Sequence, residues 1–260
     1  MIRGLWTRET VALLTVAALM PLALFWIWFG GSAAVFRLAL VLLVIAIWQL
    51  VFMLSRAQPP SLSLLVTALA IAMLAPEGLS VFQFVLGISF GVVIGELIFG
   101  GWGRNVVNPG TVALAFLGFG FPAAPWPVFD TPLAWAAIPA AGLGLVIGVM
   151  PSALVLAGLA VGAIVATFGL VSDPVLFAAG IVFVLLVCDP VTSAATTLGG
   201  WVQGATYGAL VVLFGGAWSG AAPPQIAVAA ALLSSLAAPL FDDIALRLWV
   251  HRRRRRYGRS

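Results

Sequence analysis

The sequence predicts an all-α integral membrane protein with about ten transmembrane segments, arranged as two inverted five-segment repeats that contain broken or half helices. Hydrophobic residues make up 63% of the 260 residues and charged residues only 8%, whereas soluble domains carry about 25% charged residues. Several apolar segments are too short to cross a bilayer, and the basic residues fall in alternate loops. We therefore treat residues 1–260 as a single membrane domain.

Ten apolar segments follow one another, at about 11–29, 34–54, 62–76, 81–100, 109–121, 133–150, 152–169, 174–188, 199–217 and 224–241. The first is interpreted as a retained span, because no small-residue cleavage site follows MIRGLWTRET. The third, fifth and eighth are short enough to be half-spans or broken helices. Irregular backbone at membrane depth is tolerated only where protein or a water-filled cavity covers it, so these breaks predict a site inside the bundle.

The arginines determine the predicted orientation. Lysine is absent, and with ten spans every arginine except Arg37 lies on the side that holds both termini. The loops on the other side hold Glu77, Asp130 and Asp173. The positive-inside rule makes the arginine-rich side cytoplasmic, with the chain in a bacterial inner membrane. Residues 242–260 then form a basic cytoplasmic tail that attracts anionic lipid, and nucleic-acid binding is not expected.

Two stretches of the chain are similar to each other, VLGISFGVVIGELIFGG (85–101) and VQGATYGALVVLFGG (202–216). Gly87 and Gly91 match Gly204 and Gly208, and both stretches end in F-G-G. An odd number of spans per copy inverts the second copy, so repeat one covers about 11–121 and repeat two about 133–241. Chance similarity between helices rich in glycine and alanine is the alternative. Close helix packing is the first interpretation of the glycine spacing, and a flat ligand against that smooth face is its alternative.

The first predicted site element is the break GGWGRNVVNPG (100–110). Asn108 is a suitable N-cap and Pro109 suits the first position of a helix. The free N–H groups at such a start favour an anionic or carbonyl-bearing ligand. Arg104, Asn105, Asn108 and Pro109 are therefore predicted site residues, with helix capping alone as the alternative.

The second predicted site element is CDPVTSAATTLGG (188–200), at the corresponding break in the second half. Asp189 and Pro190 end the eighth segment, and Thr192 begins a run of hydroxyl side chains. These groups are suited to hold a ligand headgroup or a cation. A helix cap followed by a polar loop is the alternative.

Two further acids are predicted ion-pathway residues. A carboxylate within a span costs a few kcal/mol unless it is paired, protonated or hydrated. Glu96 is therefore either part of an ion or proton relay or the partner of Arg104 in an interfacial ion pair. Asp242 is either a cation step or part of a solvated charge cluster with Arg247. We predict no metal site, because the chain has one cysteine and one histidine.

The stretch LGISFGVVIGELIFGGWGRNVVNPGTVALAF (86–116) resembles the B subunit of the sodium-translocating NADH:quinone reductase and the D subunit of the Rnf electron-transport complex. The family pattern F-G-G-x-G-x-N-x-x-N-P stands here as F-G-G-W-G-R-N-V-V-N-P. CDPVTSAATTLGGWVQGATYGAL resembles the family's D-P-V-[ST] segment and the span after it, and PLFDDIALRLWVHRRRRR resembles its closing L-F-D and basic tail. The similarity covers about residues 50–256.

The resemblance implies ten spans in an inverted repeat, and a multi-subunit complex that couples electron transfer to Na⁺ or H⁺ movement. Family members typically carry FMN, linked through a phosphoester to a threonine in an outer-face D-x-x-[ST]-G-A-T sequence, and the B-subunit branch holds a second, noncovalent flavin. The loop FPAAPWPVFDTPLAW (121–135) lacks S-G-A-T, which leaves Thr131 as the one candidate for a covalent link. We therefore expect a noncovalent flavin, FMN or riboflavin, between the two repeats.

The function that these observations favour is a membrane subunit of an Rnf/Nqr-like ion-translocating redox complex, with other membrane and peripheral redox subunits as partners. Arg104 would meet a flavin phosphate or carbonyl, the asparagines would bind the polar edge of the ring, and Glu96 and Asp242 would offer cation or proton steps. One alternative is a small-solute channel or transporter with the same inverted-repeat fold and no redox role. Another is a scaffold subunit that only docks redox partners.

Overall fold

A computed structural model describes residues 7–57, 60–129 and 131–257 of the chain, with side chains as far as residue 254. These residues form helices and connecting turns, and no strand occurs among them. Arg3, Asp130 and Arg259, which entered the orientation argument, lie outside the described residues, as do the side chains of Arg255 and Arg256. The prediction of an all-α protein is confirmed for the described part.

The described residues form nine helices in order, two of them extended by a π-helical turn. They are α1 (Arg8–Arg56), α2 (Leu64–Leu74), α3 (Val81–Val92) with its π turn (Val93–Leu97), α4 (Pro109–Gly120), α5 (Thr131–Ile147), α6 (Ser152–Thr167), α7 (Asp173–Val182) with its π turn (Phe183–Val187), α8 (Thr197–Ala217) and α9 (Pro223–Tyr257).

Gly31 divides α1 into two arms. Its φ of 56° and ψ of −142° are not helical, and a positive φ is readily adopted only by glycine. With this division the described residues contain ten helical segments, in the order and at the positions of the ten predicted ones. Within the part of the chain that the structure describes, three helices are long and apolar enough to cross a membrane, Arg8–Arg56, Thr197–Ala217 and Pro223–Arg254. The count of ten spans remains a prediction.

The ends of the helices meet at two opposite faces of the bundle. One face lies on the side that is predicted to hold every arginine except Arg37, and we call it the arginine-rich face. The contact between Asn108 and Asp189 lies toward this face. At the other, the opposite face, the Glu77 N–H donates to the carbonyl of Pro125 (2.6 Å), and Gln225 Nε2 donates to the carbonyl of Gly118 (3.4 Å). Consecutive segments therefore run in alternate directions. Which face is cytoplasmic remains a prediction from the arginines.

The short helices lie inside the bundle. α2 has 11 residues, or about 16 Å of helix, roughly half of a 30 Å hydrocarbon layer. Nine of its residues are buried, because the helix is apolar on every side and is surrounded by α1, α4 and the π turn of α7. In α4, Ala113, Leu114 and Leu117 are likewise fully buried. The helices that stop short of a full span are thus covered by protein.

The matched glycines of the two similar stretches pack against helices that do not correspond between the two predicted repeats. A Cβ added at Gly91 would lie 2.6 Å from the Cα of Ala113 in α4. A Cβ added at Gly204 would lie 2.7 Å from the carbonyl oxygen of Leu154 in α6. The first contact joins the fourth and fifth segments and the second joins the ninth and seventh. The matched glycines therefore do not establish the inverted repeat, which remains a prediction.

We expect Gly91→Ala to destabilise the protein by about 1–3 kcal/mol, because the added methyl group meets the Ala113 backbone, which cannot rotate away. Thermal unfolding in detergent measures this effect. Gly162→Ala in α6 is the matched control, because its added Cβ meets nothing within 4 Å and alanine is the better helix former. Equal unfolding temperatures for the two variants would show that the α3–α4 contact is not tight.

Candidate functional site

The two predicted breaks meet directly. Asn108 Nδ2 donates a hydrogen bond to Asp189 Oδ2 at 2.9 Å, between residues 81 positions apart in the chain. Asn108 is 4% exposed and Asp189 is 8% exposed. The pocket hypothesis requires this proximity, since it places residues from both breaks around one cavity.

Asn108 also caps α4. Its Oδ1 accepts hydrogen bonds from the N–H groups of Gly110 (2.8 Å) and Thr111 (3.4 Å), and Pro109 occupies the first helical position. Asn108 therefore does act as the helix cap that the sequence offered as the alternative to a binding site. One side chain uses its oxygen as a cap and its amide nitrogen to reach the second break.

Asp189 follows the π turn of α7 and is held by neutral donors. Its Oδ1 accepts from the Val191 N–H (3.1 Å) and its Oδ2 accepts from the Thr192 hydroxyl (3.2 Å) as well as from Asn108. The Trp102 side chain also faces this carboxyl group. These hydrogen bonds offset part of the cost of burying the carboxylate. Thr192 does not line the cavity, and its contribution to the site is to orient Asp189.

Glu96 lies in the π turn that extends α3 and has no exposed surface. Its Oε1 accepts from the Ser63 hydroxyl at 3.4 Å, and the Trp102 backbone also faces its carboxyl group, while its Oε2 has no partner at full hydrogen-bond geometry among the described residues. Within the described residues no ion pair joins Glu96 to a basic side chain. The interfacial pair between Glu96 and Arg104 is therefore not formed, and an uncompensated buried charge is costly.

Glu96 and Asp189 line the same small cavity and oppose each other's charge. The cavity measures about 20 Å³, which is enough for one or two water molecules. Its wall includes Asn108, Cys188 and Trp102, and none of the described residues that line it is an arginine, lysine or histidine. Two buried carboxyl groups without a basic partner need a proton or a cation to compensate them.

The cavity fits a flavin in chemistry but not in size. Asn108, Asp189 and the Trp102 ring are suited to the polar edge and flat face of an isoalloxazine, whereas pockets for ligands of that size measure several hundred Å³. A flavin ring at this position requires the surrounding helices to move apart. Of the predicted residues, Pro109 and Pro190 also line the cavity.

Three predicted site residues lie elsewhere. Arg104 is exposed and does not line the cavity. Asn105 is buried but holds the loop itself, accepting from the Gly103 N–H (3.1 Å) and donating to the carbonyl of Val107 (3.3 Å). Thr131 is exposed at the start of α5, at the opposite face. It is separated from the cavity by the 12 residues of α4, about 18 Å of helix.

Asp242 clamps the start of α8. Its Oδ2 accepts from the Ala195 N–H (2.8 Å), and its Oδ1 accepts from the N–H (2.9 Å) and the hydroxyl (2.6 Å) of Thr196, the N-cap of α8. Both carboxylate oxygens are therefore engaged in fixing α8 to α9. The neighbouring Asp243 forms the charge pair with Arg247 (2.8 Å) instead.

The sequence did not single out Ser63 or Trp102, although both line the cavity. Ser63 precedes the short α2, where a polar residue before a half-helix is a usable signal. Trp102 gives no such signal, because an aromatic residue in a glycine-rich loop commonly lies at the membrane interface.

We expect Asp242→Ala to lower the stability by about 2 kcal/mol, since it removes three hydrogen bonds at the start of α8. Asp243→Ala is the matched control and should change stability by less than about 1 kcal/mol, because its ion pair is exposed. Thermal unfolding of both variants in the same detergent checks this. If Asp242→Ala unfolds no earlier than Asp243→Ala, the clamp does not stabilise the bundle.

Known proteins resemble this chain over most of its length. The B subunit of the Na⁺-translocating NADH-quinone reductase of Yersinia pestis is 28% identical over 282 aligned positions, covering 84% of this chain and 67% of the relative. The subunits of the same name from Haemophilus influenzae (strain PittEE) and Klebsiella pneumoniae (strain 342) are also 28% identical, covering 86% and 89% of this chain and 70% and 71% of theirs. The model of the NQR2, RnfD, RnfE family matches residues 2–137. The chain therefore belongs to the NQR2, RnfD, RnfE family.

Proposed function

We propose that this chain is a membrane subunit of an ion-translocating electron-transport complex of the Nqr/Rnf type. The names of its relatives and its multi-pass helical fold support this proposal. In the proposed arrangement both termini lie on the cytoplasmic side of a bacterial inner membrane. Other membrane and peripheral redox subunits supply the electron donor and acceptor sites.

The observation that carries the proposal is the shared cavity of Glu96 and Asp189. Both carboxyl groups are buried, their charges oppose each other, and no basic side chain lines the wall within the described part of the chain. Such a site gains stability by taking up a proton or a small cation. Its volume of about 20 Å³ matches a water-sized occupant, so Na⁺ would enter with little of its hydration shell.

Each neighbouring residue has a role in this proposal. The Ser63 hydroxyl orients Glu96, while Asn108 and Thr192 orient Asp189. The Oε2 atom of Glu96 has no partner at hydrogen-bond geometry among the described residues. It is therefore the atom available to bind the cation or carry the proton. Asp242 contributes indirectly, because it fixes the loop that follows Asp189 and not because it binds an ion itself.

A noncovalent flavin, FMN or riboflavin, is the second part of the proposal. When bound, a flavin supplies one- and two-electron transfer. This chain would bind its polar edge through Asn108 and Asp189, orient its ring against Trp102 and exclude water. The cavity must widen first. Thr131 is not needed for this mode of binding.

We expect Glu96→Gln to lower ion transport by at least about tenfold in proteoliposomes that contain the assembled complex. A loss of about 1.4 kcal/mol in cation or proton affinity has that effect. Asp243→Asn is the control, because Asp243 is an exposed acid at the arginine-rich face. An unchanged transport rate in Glu96→Gln would eliminate the relay.

We expect the gently purified complex to show visible flavin absorption assignable to this chain. Asn108→Ala should lose that absorption and Thr131→Ala should keep it, because only Asn108 faces the cavity. A denaturing gel should show no fluorescent band for this chain. A colourless, flavin-free complex would rule out the flavin, and a bright band that disappears in Thr131→Ala would establish a covalent link instead.

A small-solute channel or transporter is the alternative function. The water-sized cavity and the missing S-G-A-T sequence favour it. Solute flux through liposomes that contain this chain alone would support the channel. Flux that requires the redox partners and electron transfer would support the translocating complex.

A further inference from the structure

We propose that a cleft at the opposite face binds the headgroup of a phospholipid with a primary amine, of the phosphoethanolamine type. The cleft is open and measures about 290 Å³, and its wall includes Phe36, Arg37, Pro76, Glu77, Val81 and Phe84. It lies at the other end of the bundle from the carboxyl-lined cavity. The inference does not depend on the proposed function.

Arg37 provides the positive wall of the cleft. Its Nη2 donates to the carbonyl oxygens of Ala75 and Pro76, the latter at 2.9 Å, just beyond the end of α2. Its Cζ lies 5.2 Å from the centre of the Phe84 ring. These contacts fix the guanidinium through neutral groups, so they leave its charge uncompensated.

Glu77 provides the negative wall. It is exposed, its N–H is held by the carbonyl of Pro125 at 2.6 Å, and Gly78 beside it has a φ of 71° that turns the chain there. The Glu77 carboxylate attracts the Arg37 guanidinium. The structure of the described residues nevertheless shows no direct ion pair between these two side chains. Opposite charges therefore face one cleft with a gap between them.

A ligand that fills this gap must carry an anion and a cation a short distance apart. A phosphate fits the guanidinium, and a primary ammonium, with three N–H donors, fits the carboxylate. A choline headgroup has a cation without N–H donors, and a glycerol headgroup has no cation. The charge pattern therefore selects phosphoethanolamine over the choline and glycerol headgroups.

The position in the membrane favours a lipid over a soluble ligand. Arg37 lies six residues beyond Gly31, about 9 Å along the helix from the turn at the opposite face. Phe36, which lines the cleft, and Phe82, next to the lining residue Val81 in the chain, are each 75% exposed, as expected for side chains that face acyl chains near the interface. An arginine this close to a helix end is within reach of the lipid phosphates at the interface.

Native mass spectrometry of the detergent-solubilised protein tests the proposal. The protein is mixed with equal amounts of phosphatidylethanolamine, phosphatidylcholine and phosphatidylglycerol of identical acyl chains. We expect the ethanolamine lipid to be retained about fivefold more than either of the others, the upper range for one exposed ion pair. Glu77→Gln should abolish this preference, and Asp173→Asn, another exposed acid at the same face, should preserve it.

Arg37→Gln should weaken retention of all three lipids, because it removes the phosphate contact. Its thermal unfolding is measured in parallel, since Arg37 also holds the end of α2. The proposal is overturned if the three lipids bind equally, if phosphatidylglycerol binds best, or if Glu77→Gln keeps the preference. Displacement by soluble phosphoethanolamine at the same concentration would overturn the assignment to a lipid.

Discussion

The hydrogen bond between Asn108 and Asp189 is the interaction on which the rest of the structure depends. Helices that stop within a bilayer expose backbone groups that lipid cannot satisfy. Here Asn108 satisfies the start of α4 with its oxygen and connects to the end of α7 with its nitrogen. One amide therefore makes two helix interruptions compatible with burial and sets their separation.

The same contact creates the electrostatic condition for the proposed function. It fixes Asp189 in the cavity that Glu96 also lines, where the described residues of the wall include no basic side chain. A protein that needed only stability would be expected to replace two opposed carboxyl groups by apolar side chains, since buried charges rarely add stability. The proposed function accounts for their presence through a transient proton or cation, with Ser63 and Thr192 keeping the carboxyl groups oriented in its absence.

The sequence predicts the segments of this fold well and the directions of its side chains poorly. Apolar runs, Gly31 and the prolines mark where helices begin and end, because those limits depend on local chemistry. The orientation of Glu96 depends on a π turn that no local sequence pattern predicts. The outward position of Arg104 depends on the conformation of a loop that Asn105 stabilises through its hydrogen bonds. The clamp formed by Asp242 depends on a partner 46 positions away in the chain, so its role could not be predicted from its neighbours.

The lone thiol of the described chain has a practical consequence. Cys188 is buried in the wall of the cavity. The opening that the proposed flavin requires would also admit a maleimide or a similar reagent. The labelling rate of Cys188 would then report that opening without any engineered probe.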